Sequence, residues 1–217
     1  MKRVIASFVI GIVMLSATSG WGLAQTIKIV AFGDSTTAGS GKAHVSGLSI
    51  GVPMSEAYPA KLENALRAKG WNVTVSNQGV PGQTAGAAVY TVDMRVPAGT
   101  NLTIVRFGGN DRFAGRSPAD IAANLGEIVA KVRAKGSAVI LSRMWPPKDE
   151  AAFSGLSPSV DAYVDWWGGL VANGKPLPQY DSGDGEHVNA AATDIVVARA
   201  VPDVERVLMK LGFKPGH

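Results

Sequence analysis

Short apolar runs alternate along most of the chain with stretches whose apolar residues recur at helical spacing. Ile27 to Phe32 has the pattern of a buried strand. Pro59 to Lys69 reads as a helix, with proline at its first position and Gly70 just past its end. Val73 to Ser76 is a second strand, and a weaker helical pattern covers Ala85 to Met94. Leu102 to Phe107 is a third strand. Ser117 then caps a helix that opens on Pro118 and stops at Gly136, with Ile121, Leu125, Ile128, Val129 and Val132 on one face. Ala138 to Met144 is a fourth strand. Ser157-Pro158 is expected to start another helix that Gly168-Gly169 ends. A short fifth strand is expected within Lys175 to Tyr180. Ala190 to Leu211 is helical, kinked or broken at Pro202. Strands alternating with helices imply βαβ units, a parallel sheet covered on both faces, and a ligand site beyond the carboxyl ends of the strands.

The first residues stand apart from this pattern. Lys2 and Arg3 precede the apolar run Val4 to Ala17, and Gly22-Leu23-Ala24 supplies small residues. This is the layout of a secretory signal peptide, with cleavage expected after Ala24 and a single domain over 25–217. The alternative is a retained anchor, but the run falls short of the roughly 20 apolar residues a spanning helix needs. No later stretch is long and apolar enough to span a bilayer. The expected location is therefore secreted or periplasmic.

Composition narrows the classes further. The chain has 217 residues, 46 % of them hydrophobic, enough for one sizeable core and against disorder. Its formal charge of +4 loses Lys2 and Arg3 on cleavage, leaving 19 basic against 17 acidic residues and a charge of +2. No Lys/Arg cluster with interleaved aromatics occurs, so nucleic acid is not an expected partner. With no cysteine, a disulfide scaffold, a thiolate zinc site and a Cys nucleophile are excluded. No grouping of His, Asp and Glu has metal-ligand spacing, and no phosphate-binding loop is present, so neither metal nor organic cofactor is expected.

Four loops hold the candidate chemistry. Gly33-Asp34-Ser35-Thr36 follows the first strand, Asn77 to Thr84 the second, and Gly108-Gly109-Asn110-Asp111 the third. Asp184-Gly185-Glu186-His187 precedes the last helix. A serine hydroxyl is a weak nucleophile that needs a base, and the base needs a group to orient it. The histidines are His44 in a Gly/Ser-rich loop, His217 at the terminus, and His187, which has Asp184 three residues before it. Ser35, His187 and Asp184 thus fit the roles of nucleophile, base and orienter, with Glu186 the competing orienter. Acyl transfer also requires donors for an oxyanion. The Ser35 backbone N–H, Gly82 and the Asn110 side-chain amide are the candidates. Each motif alone is ordinary turn chemistry; together, and in this order at one sheet edge, they point to acyl transfer.

In these blocks the chain resembles the GDSL, or SGNH, hydrolases, a family of lipases, esterases and thioesterases. Phe32-Gly33-Asp34-Ser35 matches the first family block, with Thr36 where leucine is usual. Asn77 to Thr84 resembles the glycine block, Gly82 corresponding to the oxyanion glycine and Gly79 fitting less well. Gly108 to Asp111 matches the third block. Asp184 to His187 matches the last, with Val188 where many members have proline. The resemblance covers essentially the whole mature chain. It implies a three-layer α/β/α sandwich around a parallel sheet of about five strands, ordered as in flavodoxin-like folds, and no need for a cofactor.

The expected activity is carboxylic or thioester hydrolysis through an acyl-enzyme, on small-molecule, lipid or sugar esters. Polysaccharide O-deacetylation within the same mechanism and a non-catalytic binding module on the same fold are the alternatives. Trp145, Trp166 and Trp167 would serve a sugar-stacking platform or, as the better expectation, pack the core. The Gly-rich stretch Ser40 to Ser55 is either a substrate wall or a mobile connection.

Overall fold

The computed structural model describes residues 25–39, 52–144, 149–172 and 174–216. The expected signal peptide, positions 40–51 of the Ser40 to Ser55 loop, His44, Trp145 and His217 lie outside the described residues.

Five parallel strands form the central sheet: β1 (Ile27–Gly33), β2 (Val73–Gly79), β3 (Leu102–Arg106), β4 (Ala138–Ser142) and β5 (Ala162–Val164), in the order β2-β1-β3-β4-β5. Successive side chains on a strand point to opposite faces, so each strand feeds two cores. Ile27, Ile29, Leu102, Ile104 and Ile140 pack under helices α2 (Tyr58–Ala68) and α8 (Ala190–Lys210). Val30, Phe32, Val105, Phe107, Val139 and Leu141 pack under α3 (Ala85–Ala88), α4 (Val92–Arg95) and α6 (Pro118–Ala134). The result is the three-layer α/β/α sandwich expected from the sequence, with α1 (Ser35–Ala38) and α5 (Gly109–Phe113) as single turns at the strand ends. Helix α6 starts where local chemistry demands. Ser117 Oγ accepts from Asp120 N at 3.1 Å and donates to the Asp120 carboxylate at 2.7 Å, while Pro118 occupies the first turn.

Two expectations fail between Ser157 and Tyr180, and at the last helix a break is excluded. No helix runs from Ser157 to Gly168: after the short α7 (Glu150–Phe153), Ser154–Ser159 is a 3₁₀ turn and the chain then supplies β5. The open edge of β4 captures this segment, Asp161 accepting from Val139 N at 2.7 Å and Val164 O from Arg143 N at 2.8 Å. Tertiary pairing overrides local helical spacing there. Conversely, Lys175 to Tyr180 holds no strand of the main sheet. Only β7 (Lys175–Pro176) pairs, antiparallel, with β6 (Val171–Ala172), and Pro178–Tyr180 is a 3₁₀ turn. Pro176 and Pro178 lack the N–H that a ladder needs. Helix α8 is continuous through Pro202. Pro202 and Ala198, whose carbonyl it leaves unpaired, are both exposed, so water can satisfy that oxygen while Val196, Ala200, Val204 and Val207 remain packed. The weak pattern over Ala85 to Met94 divides into α3 and α4 around Tyr90-Thr91, where Thr91 Oγ bonds to the Ala88 carbonyl.

Candidate active site

The sheet brings three of the four candidate loops to one edge by register alone. Gly33 at the end of β1 lies opposite Gly79 on β2 and Arg106 on β3. The chains that continue from these residues carry Ser35, Gly82 and Asn110. Asp34 caps α1, its Oδ1 accepting from Thr36 N at 3.0 Å, while Asp34 O takes the N–H groups of Thr37 and Ala38. Ser35 is the first residue of that turn, so its own N–H has no acceptor within the helix.

The fourth loop reaches this edge through a tightly tied hairpin. Asp181 pairs with Val188 in an isolated antiparallel bridge, and its Oδ1 accepts from Gly183 N and Gly185 N at 2.8 and 3.0 Å. Asn189 caps α8 and donates to the carbonyls of Gln179 and Asp181. Held between these ties, His187 lies with Nε2 2.9 Å from Ser35 Oγ and Nδ1 2.8 Å from Asp184 Oδ2. An ionised carboxylate only accepts, so Nδ1–H donates to Asp184 and Nε2 is left to accept from the serine hydroxyl. Asp184, not Glu186, is the carboxylate at the ring. Its Oδ1 accepts from the N–H groups of Glu186 and His187 at 2.8 and 2.7 Å. Burial pulls its pKa upward, but these N–H bonds and the imidazole outweigh that pull and hold it below the ordinary carboxylate value.

The other two candidates, Gly82 and Asn110, stand on the loops that follow β2 and β3. Asn110 Nδ2 donates to Gln83 O at 3.0 Å, which uses one amide hydrogen and leaves the second free. Gly82 is exposed with φ +77, and a Cβ there would meet nothing within 4 Å. The position therefore demands glycine for its left-handed backbone, not for close approach. Gly79 is the crowded glycine: a Cβ would lie 2.2 Å from Ala38 N. It lets β2 lie against the turn that carries Ser35.

A narrow crevice opens beside Ser35 and His187, walled by Val52, Ala57, Tyr58, Trp167 and Val188. Val52 N donates to Gly39 O at 2.8 Å, so the stretch that leaves Gly39 and returns at Val52 begins and ends at this wall. Trp166 and Trp167 are core residues, 2 % and 3 % exposed, which removes them as an open sugar platform. Trp166 Nε1 donates to Asp203 at 2.8 Å.

The sequence reading did not single out what lies underneath. Arg106 is 4 % exposed, its guanidinium 3.9 Å above the Trp167 ring and its Nη1 3.7 Å from Asp34 Oδ1. Burial raises the Asp34 pKa against the opposing pull of Arg106 and the Thr36 N–H, and burial lowers that of Arg106. A charged residue at the end of a fully buried strand run, Arg106 between Val105 and Phe107, was the available signal.

Comparison with known proteins places the chain among like folds. The model of the GDSL-like lipase/acylhydrolase family matches residues 31–195. The esterase TesA of Pseudomonas aeruginosa is 28 % identical over 142 residues, covering 65 % of this chain and 63 % of the relative. An arylesterase of Vibrio mimicus is 26 % identical over 121 residues, covering 55 % of this chain and 56 % of the relative. The chain thus spans about three fifths of the length of these curated relatives. The crystal structure of AlinE4, an SGNH-hydrolase family esterase, superposes with a TM-score of 0.59 at 29 % identity, covering 86 % of this chain and 98 % of that one.

Proposed function

This chain belongs to the GDSL-like lipase/acylhydrolase family, and on that premise we propose that it is an exported serine hydrolase of carboxylic or thioesters. The observation that carries the reading is the unbroken relay from Asp184 through His187 to Ser35, 2.8 and 2.9 Å per link. Ser35 Oγ attacks the ester carbonyl as its proton passes to His187 Nε2. The imidazolium that forms is stabilised by the Asp184 carboxylate. The developing oxyanion takes N–H bonds from Ser35, Gly82 and the free Asn110 amide hydrogen. Collapse expels the alcohol or thiol, which leaves with the proton from His187. Water then attacks the acyl-enzyme by the same route, releasing the acid and restoring Ser35.

Export is supported by the Lys2-Arg3 start, the Val4 to Ala17 run and the small residues before Gln25. The Ser40 to Ser55 stretch follows the nucleophile turn directly and mixes Val45, Leu48, Ile50, Val52 and Met54 with glycines and serines, which supports small or medium acyl groups on water-soluble esters. Ser35→Ala should abolish both ester turnover and labelling by a fluorophosphonate probe while leaving the thermal unfolding profile intact. A panel of nitrophenyl esters, acyl-thioesters and acetylated sugars assigns the substrate within the class. Labelling that persists on another serine would overturn the assignment, and a folded protein inert to probe and panel would mark a binding module.

A further inference from the structure

Asp111 follows the oxyanion candidate Asn110 directly, yet it cannot touch substrate. It is 1 % exposed and turned into the protein. Its Oδ2 accepts from Ala85 N at 2.7 Å and its Oδ1 approaches Gly86 N at 3.4 Å. These are the first two amides of α3, which have no acceptor within their own helix. The next amide, Ala87 N, is taken by Thr84 Oγ at 3.1 Å. One residue earlier, Asn110 Nδ2 donates to Gln83 O at 3.0 Å. Two consecutive side chains after β3 thus grip the loop after β2 in opposite senses, one donating to its carbonyl at residue 83 and the other accepting its N–H groups at 85 and 86. Gly82 stands immediately before the gripped segment, exposed and with a positive φ of +77.

We infer that Asp111 is a positioning residue that sets the separation and aim of the Gly82 N–H and the Asn110 amide, an inference that rests on the ester-hydrolase reading. The carboxylate does this because it accepts at both oxygens. An amide in its place must turn an NH₂ group toward one of two N–H groups, donor against donor. The loop then shifts, and a donor displaced by a fraction of an ångström loses its hold on charge present only in the transition state.

The experiment compares purified wild type, Asp111→Asn, Asn110→Ala and the double variant on one nitrophenyl ester. Asp111→Asn should lower kcat about 10-fold to 100-fold with KM within about 2-fold. Asn110→Ala should lower kcat by about 10²-fold to 10³-fold. In the Asn110→Ala background, Asp111→Asn should cost at least several-fold less than it does alone, because the two act on one arrangement. Effects that multiply in full, a loss expressed in KM, or a wild-type kcat in Asp111→Asn would each overturn the inference. Should Asp111→Asn fail to fold, Asp111→Ser, smaller and still an acceptor, is measured by the same criteria. Turnover by wild type that Ser35→Ala abolishes tests the underlying reading separately. A wild type without turnover defeats both, whereas turnover with an inert clasp defeats only this inference.

Discussion

Replacing Arg106 by methionine should destabilise the protein chiefly by stranding a charge. Asp34 is 2 % exposed and its ion pair within the core is Arg106, at 3.7 Å. Breaking a buried pair from one side costs about 3–5 kcal/mol. Stacking over Trp167 is lost as well. Against this, the guanidinium Nε and Nη1 have no hydrogen-bond partner among the described residues, and removing them relieves a cost. The net expectation is the low end, about 3 kcal/mol, or about 6–12 °C in Tm for a chain of this size. The loss should depend on pH with a definite sign. Burial already raises the Asp34 pKa, and without Arg106 nothing of opposite charge so close restrains it. A carboxyl whose folded pKa is raised favours the folded state when protonated. That contribution is complete below the ordinary value of 3.8 and is lost as pH rises through the raised one. The gap to wild type should therefore narrow on acidification and widen toward neutral pH. Urea unfolding followed by circular dichroism at several pH values measures it. Asp34→Asn combined with Arg106→Met should recover most of the loss, because an amide still caps α1. A single variant within about 1 kcal/mol of wild type, a gap insensitive to pH, or a double variant no better than the single would refute the reasoning.

Asp184→Asn should lower kcat by about 10³-fold or more, since the amide favours the wrong imidazole tautomer, whereas Glu186→Gln should stay within about 3-fold because only the Glu186 backbone N–H meets the site; steady-state kinetics on one ester compares them, and the reverse order would reassign the orienter. The Asp184 pKa is depressed, so its share of stability is present above the ordinary carboxylate value and lost as pH falls through the depressed one. Acid unfolding of Asp184→Asn should accordingly begin from a flatter pH profile than wild type. Gly79→Ala should lose both stability and activity, because the new methyl meets Ala38 N at 2.2 Å and must push the nucleophile turn away from β2. Near-normal melting and turnover in that variant would contradict the packing described.

The strands β1 to β4 and the helices α2 and α6 were legible in the sequence because their signals are local. Short runs rich in β-branched and other apolar residues mark the strands, and Ser117, Pro118 and Gly136 bracket a helix by hydrogen-bond chemistry within a few residues. Three of the four chemical loops were legible because a parallel sheet must place strand ends at one edge, and the fourth because Asp184 stands three residues before His187. Where a segment's fate depended on a distant partner, the sequence misled. Ala162–Val164 becomes a strand because the β4 edge is open beside it, and Lys175 to Tyr180 adds no strand to the main sheet because its prolines cannot donate.

The same division holds at the site. Sequence alone singled out Ser35, His187, Asp184, Gly82 and Asn110 as candidates by residue type, order and position, since turn glycines and a carboxylate three residues before a histidine are short-range features. Only the tertiary structure decided between Asp184 and Glu186, because the choice depends on which side chain a hairpin tied by Asp181 turns toward the ring. It alone distinguished Gly79, excluded from bearing a side chain by the neighbouring turn, from Gly82, chosen for its backbone angle. It alone joined Asp111 to Ala85 across 26 positions and Arg106 to Asp34 and Trp167. Such contacts leave no mark in local sequence, since they exist only when separate elements converge on one sheet edge.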